Sequence, residues 1–270
     1  MQLYELYERI ELPGNVVERL NQCSKTVPTE VITAYEEQLK ENVPYEVAAG
    51  QLADGLMPDE DGCRMLYALL SVAAKTCDVY REKGLPESVF TDTMKGFTRI
   101  IRENHDATGR WFFDRGWWVG RHISLQLFRI GTLEYEMLSG TDGKEISVHI
   151  PSDANLADTD MSLAESYRFF ERFYPEYRDA PYVCISWLMS PALDGLLEDS
   201  SRIAKFKSKF QLLRYFPDDE TYKWFVFKDS SIAPKDFPEN TRLQRNIKRY
   251  VLSGGKIGAA KSVLMQNRMR

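Results

Sequence analysis

Through the first hundred residues apolar side chains recur at helical spacing, and near Trp111 that pattern gives way to dense aromatic and β-branched residues separated by regular turn signals. Two periods in separate blocks of one chain predict an α+β architecture, because a 3.6-residue stripe and a two-residue alternation bury their apolar sides in different elements. In the helical block Val31, Ile32, Tyr35 and Leu39 form one stripe behind Pro28 and Thr29-Glu30. Val89, Phe90, Met94, Phe97, Ile100 and Ile101 form another, opened by Pro86-Glu87. Residues 65–79 are apolar nearly all round, which predicts the buried central helix of an N-terminal helical bundle. A chain of 270 residues has room for two ordinary domains. The expected division is 1–110 and 111–270, where Asn104-His105-Asp106-Ala107-Thr108-Gly109 ends the helical period.

In the second block, residues 117–124, 126–130, 132–138 and 144–150 read as strands. The short, Gly-rich connection Ser139-Gly140-Thr141-Asp142-Gly143 predicts an antiparallel hairpin between the strands on either side of it. After a polar loop at 151–155, Ser162-Leu163-Ala164-Glu165 has the S-x-x-E pattern of a capping box, so a helix is expected to start at Ser162. Leu163, Tyr167, Phe170 and Phe173 would share its buried face. Residues 182–188 then read as an apolar strand, and strand, helix, strand predicts a parallel crossover. A helix over 192–207 and a second hairpin of 210–216 with 222–228 around Pro217-Asp218-Asp219 are expected next, and a final helix over 241–252. The fold class is therefore a helical bundle followed by a mixed β-sheet flanked by helices.

Composition narrows the partners. A net charge of −5 lacks the basic footprint of a general nucleic-acid binder, so no nucleic-acid partner is expected. No apolar run approaches the ~18–20 residues of a membrane span, and the first residues lack the charged and apolar regions of a secretory signal. No membrane partner and a cytoplasmic location are the expectation. Cys23, Cys63, Cys77 and Cys184 are scattered without a CxxC pair or a His at zinc spacing, which predicts free thiols and no metal site. Charge is uneven along the chain: residues 1–110 carry a net of −7, the remainder +2, and after Glu239 eight basic residues run to the end without an acidic one. That C-terminal stretch is a cationic tail.

An antiparallel hairpin, a crossover helix, a parallel strand, another helix and a closing hairpin is the element order of the GCN5-related N-acetyltransferase (GNAT) fold. Several separated segments add to it: Trp117-Trp118-Val119-Gly120-Arg121, Leu127-Phe128-Arg129-Ile130-Gly131, Leu133-Glu134-Tyr135-Glu136, Val148-His149-Ile150-Pro151, Cys184-Ile185-Ser186-Trp187-Leu188 and Leu243-Gln244-Arg245. In this order they resemble a bacterial two-domain acyltransferase family with an N-terminal helical region and a GNAT-like C-terminal domain. The resemblance spans about residues 30 to 260. It implies an acyl-CoA or acetyl-CoA co-substrate as small-molecule donor and transfer of the acyl group to an unidentified amine or hydroxyl acceptor. The chain departs from the fold's usual pattern in one place. The stretch 151–162, where such enzymes carry a Q/R-x-x-G-x-G/A loop for the cofactor pyrophosphate, has no glycine. Backbone donors at Ser162 and Leu163, or the cationic turn Gly254-Gly255-Lys256, are the alternative phosphate sites. The missing loop also leaves open a non-catalytic, binding or regulatory relative.

For chemistry, His149 falls at the end of the predicted central strand, where open α/β sheets place ligands, and an imidazole there suits a general base as well as a structural hydrogen bond. Glu134 and Glu136 share a strand face and could act as a base, bind a cationic amine or simply pair with Arg129 or Arg121. On the next strand Cys184 and Ser186 share a face opposite Trp187; the thiol could accept an acyl group and the hydroxyl could protonate a leaving thiolate, or both could be packing.

Overall fold

The computed structural model describes residues 1–140 and 143–265, and the chain divides into two compact units, Met1–Ile130 and Gly131–Arg270. Thr141 and Asp142 of the expected hairpin turn, and Arg268 and Arg270 of the cationic tail, lie outside the described residues.

The first unit holds seven described helices: α1 Leu3–Arg9, α2 Gly14–Cys23, α3 Thr29–Lys40, α4 Tyr45–Gly55, α5 Cys63–Glu82, α6 Glu87–Thr108 and α7 Gly116–Ile123. It ends in a short strand, β1 Leu127–Ile130, whose Arg129 N–H donates to Thr93 Oγ1 of α6 at 2.8 Å. The central helix expected at 65–79 is α5, which buries Leu66, Leu69, Leu70, Ala73, Cys77 and Tyr80. Its start is held by two carboxylates: Asp59 accepts from the N–H groups of Arg64 (3.0 Å) and Met65 (2.8 Å), and Asp61 from that of Cys63 (3.0 Å). The stripes at 31–39 and 89–101 lie on α3 and α6, which start after Pro28 and Pro86 as read from sequence.

Residues 117–124 are not a strand. They belong to α7, which buries Gly116, Val119, Gly120 and Ile123, the i, i+3, i+4, i+7 face of a helix. Close packing of two glycines decides the matter: a Cβ at Gly116 would lie 2.5 Å from Met65 Cε, and one at Gly120 3.1 Å from Tyr45 Cβ. The β-favouring Trp117, Trp118 and Val119 are overridden by that fit.

The second unit carries β2 Leu133–Gly140, β3 Gly143–His149, α8 Thr159–Phe173, β4 Tyr182–Ser186, α9 Arg202–Lys207, β5 Phe210–Phe216, α10 Tyr222–Phe227, α11 Arg242–Leu252 and β6 Ala259–Leu264. Its strands lie in the order β2-β3-β4-β6-β5. Strands β2 and β3 form the expected antiparallel hairpin, with Gly140 opposite Gly143, and β4 runs parallel to β3 across the α8 crossover. The other pairings are antiparallel, so the sheet is mixed.

Three readings of this half are corrected. The second hairpin is absent: residues 222–227 are the helix α10, which buries Tyr222, Lys223 and Phe227 rather than alternate residues. The partner of β5 is β6, so part of the cationic tail is a strand lying between β4 and β5. The helix expected over 192–207 shrinks to α9. Before it, Ser190 Oγ caps a 3-10 turn by accepting from Ala192 N–H, and Ser201 Oγ restarts the helix by accepting from Ala204 N–H at 3.1 Å. Finally, α8 begins at Thr159, one turn before the expected cap. Ser162 therefore sits inside the helix and faces the sheet, where its Oγ accepts from Leu133 N–H (3.2 Å) and shares a proton with Tyr135 Oη (2.8 Å). The helix at 241–252 is α11, closed at its start by a true capping box between Thr241 and Gln244.

Candidate active site

The hairpin register places the polar residues of β2 and β3 together. Glu134 is the cross-strand partner of His149 and Glu136 that of Ser147, so alternation puts all four on one face of the sheet. The opposite face, with Leu133, Tyr135, Ile146 and Val148, is fully buried; Tyr135 meets Phe170 of α8 and Tyr182 of β4 edge to face. On the polar face His149 Nε2 lies 2.8 Å from Glu136 Oε2, diagonally across the hairpin. The Glu136 side chain is 5% exposed and that of His149 23% exposed. A buried carboxylate on Nε2 fixes the ring's orientation and its tautomer, as the acidic member does in nucleophile–base–acid triads. Glu134 is buried beside this pair, 1% exposed.

His149 ends β3, and Ser186 ends the parallel strand β4. Between these strands the pairing runs only through Ile146 with Tyr182 and Ser147 with Val183, so their last residues diverge among the described residues. The carboxyl ends of parallel strands are where α/β sheets receive ligands. Ser186 is half-buried and its Oγ accepts from Leu188 N–H at 3.1 Å, capping the turn that follows. Cys184, two residues earlier, is fully buried between strands, and that burial pushes its thiol up to about 12. It holds no thiolate at neutral pH.

The residues read as phosphate ligands divide into two groups. Ser162 and Leu163 are buried within α8, and the helix-terminal N–H groups belong to the turn before them, from Thr159 onward. Two acidic side chains at that turn have partners: Lys209 pairs with Asp160, and Asn155 Nδ2 donates to Asp158 at 2.7 Å. Gly254 and Gly255 close the end of α11, their N–H groups donating to Val251 and Tyr250 carbonyls at 3.0 Å. Lys256 beyond them is exposed and pairs with Asp218 at 2.6 Å. Among the described residues no group of three or more His, Cys, Asp or Glu side chains is placed to hold a metal ion, and no helix is long and apolar enough to cross a membrane.

Two features were missed in the sequence. Glu136 was visible as a strand-face carboxylate but not as the partner of His149; counting back from a tight Gly140–Gly143 closure gives the register that sets Glu134 opposite His149 and Glu136 diagonal to it. The second is a cleft of about 500 Å³ in the second unit, lined by Met189, Leu193, Leu197, Phe210, Leu212 and Ser262 together with lysines of α9. Ser262 and Leu212 share register with Cys184, which lies on the face carrying Tyr182; the cleft therefore opens on the α8 side, opposite the Glu136–His149 pair. Nothing in local periodicity marks it, because its walls come from the irregular run of short turns, helix and strand over 189–212, with Ser262 added from β6.

Comparison with known proteins agrees with this architecture. Residues 1–125 match the model of an N-acyltransferase N-terminal domain and residues 127–264 that of a GNAT-like C-terminal domain. Among solved structures, an acyltransferase in complex with decanoyl-CoA and teicoplanin aligns with a TM-score of 0.80 at 19% identity, covering 97% of this chain and 86% of that one. The same coverage holds for an acyltransferase in complex with decanoyl-CoA alone (TM-score 0.79, 21% identity) and for an acyltransferase mutant in complex with octanoyl-CoA (0.80, 19%). At such identities these likenesses establish the fold. A search of curated protein sequences gives no match. With the C-terminal model spanning just over half of the residues and the N-terminal model most of the rest, the chain belongs to the two-domain acyltransferase family that joins an N-acyltransferase N-terminal domain to a GNAT-like C-terminal domain.

Proposed function

We propose that the protein transfers an acyl group from acyl-CoA to a small amine or hydroxyl acceptor, with His149 as general base and Glu136 as its positioning residue. The observation that carries this reading is the 2.8 Å Glu136–His149 contact at the diverging ends of two parallel strands. His149 removes the acceptor proton as the nucleophile attacks the thioester carbonyl; the C–S bond then breaks and the CoA thiolate leaves, taking a proton from the imidazolium or from the Ser186 hydroxyl. Backbone N–H groups at the diverging strand ends are the donors available to the tetrahedral oxyanion. Acyl-CoA bound to the solved relatives supports the choice of donor.

The glycine-free stretch at 151–162 favours a second reading, a non-catalytic module that kept the fold. Isothermal titration with acetyl-CoA, octanoyl-CoA and decanoyl-CoA at low salt separates the two. Micromolar binding of any of them supports the enzyme, and absence of binding at millimolar concentration supports the module.

A further inference from the structure

In the first unit, Cys23 ends α2 and Cys63 opens α5, forty residues apart in sequence, and their sulfur atoms lie 3.1 Å apart with the Cys63 S–H directed at Cys23. Both thiols are half-buried rather than sealed in the core, unlike Cys77 and Cys184. Beside them, Cys63, Arg19, Asp61 and Trp111 line a cleft of about 20 Å³, and a site needs only ~10–15 Å³ to hold one water-sized molecule. Arg19 is fixed there by pairing with Asp61 and by donating to Trp111 O at 2.6 Å. We infer that Cys23 and Cys63 form a redox-modification site, a dithiol that a small peroxide converts to a disulfide linking α2 to α5.

The step balances with hydrogen peroxide as oxidant. Cys23 sulfur attacks one peroxide oxygen, the O–O bond breaks, and the departing hydroxide takes the thiol proton to leave water and a Cys23 sulfenic acid. Cys63 sulfur then attacks the Cys23 sulfur, the S–O bond breaks, and the second hydroxide leaves as water with the Cys63 proton. Two thiols lose two electrons and one peroxide becomes two waters. Cys23 is the attacking sulfur because the hydrogen bond from Cys63 draws its thiol below the ordinary value, with Arg19 adding to the effect and burial and the Asp59 and Asp61 carboxylates opposing it.

The test is hydrogen peroxide titration of the native full-length protein followed by thiol counting and peptide mapping. The expected result is loss of two of the four thiols, a mass 2 Da lower, and a Cys23–Cys63 cross-linked peptide. In Cys63→Ser, Cys23 should stop at a sulfenic acid trapped by dimedone, whereas Cys23→Ser should give little trapping at Cys63. Oxygen addition without a cross-link in the unsubstituted protein, or a cross-link joining other cysteines, would overturn the assignment. Because the mapping uses the native chain, the outcome does not depend on either variant folding.

Discussion

The two faces of the β2–β3 hairpin are built from the same strands by opposite rules. On the α8 side the buried hydroxyls are tied into packing: Tyr135 shares a proton with Ser162, Ser166 donates to Leu163 O at 2.8 Å and approaches Tyr182 Oη at 3.2 Å, and aromatic rings lie among them. Burial holds Tyr135 and Tyr182 far above the ordinary phenol value, so these hydroxyls stay neutral at any physiological pH. On the other side two carboxylates are buried beside an imidazole, groups whose desolvation is costly and which a packing role does not require. The contrast teaches where to look: the face with neutral, satisfied hydroxyls is structural, and the face with titratable groups is the place for chemistry.

That contrast can be broken by mutations on the structural side. Phe170→Ala, at a site 1% exposed, should cost ~3–5 kcal/mol of stability, read as a lowered denaturant midpoint. An unchanged midpoint would show that α8 is not fixed by this face. Ser162→Ala leaves the Leu133 N–H and the Tyr135 hydroxyl short of a buried partner and should cost ~1–3 kcal/mol; if instead donor binding is lost with stability intact, Ser162 belongs to a ligand site. A smaller loss, ~0.5–2 kcal/mol, is expected for Ser186→Ala, which removes a turn cap. In the same variant, turnover reduced more than tenfold at equal stability would move Ser186 from capping to proton transfer. Least of all should native Cys184 react: alkylation by iodoacetamide at pH 8 should reach Cys23 well before it, since its thiol is pushed up to about 12 and fully buried. Equal rates would show the strand opens readily.

Much of this was legible along the chain. The helices at 29–40 and 87–108 announced themselves by stripe and by the Pro before each, the helix at 63–82 by its nearly all-round apolar run, and the crossover by the order strand, helix, strand. What failed depended on distant partners. The segment 117–124 reads as strand until Met65 and Tyr45 are set against Gly116 and Gly120. Strand β6, with Ala259-Ala260-Lys261-Ser262 at its start, has too few β-branched residues to be seen, and becomes a strand because β4 and β5 flank it. His149 was located correctly at the end of β3, yet its partner needed the register as well as the alternation.

The central claim is that His149 moves a proton and Glu136 holds it in place. The most direct measurement is the release of CoA thiol from an acyl-CoA donor with an accepted amine or alcohol, comparing the unsubstituted protein with His149→Gln. The glutamine keeps an N–H donor toward Glu136 but cannot accept a proton. Turnover should fall by about 10²-fold or more, with donor affinity and melting temperature retained. Turnover within twofold of the unsubstituted protein would contradict the claim and remove His149 from the chemistry.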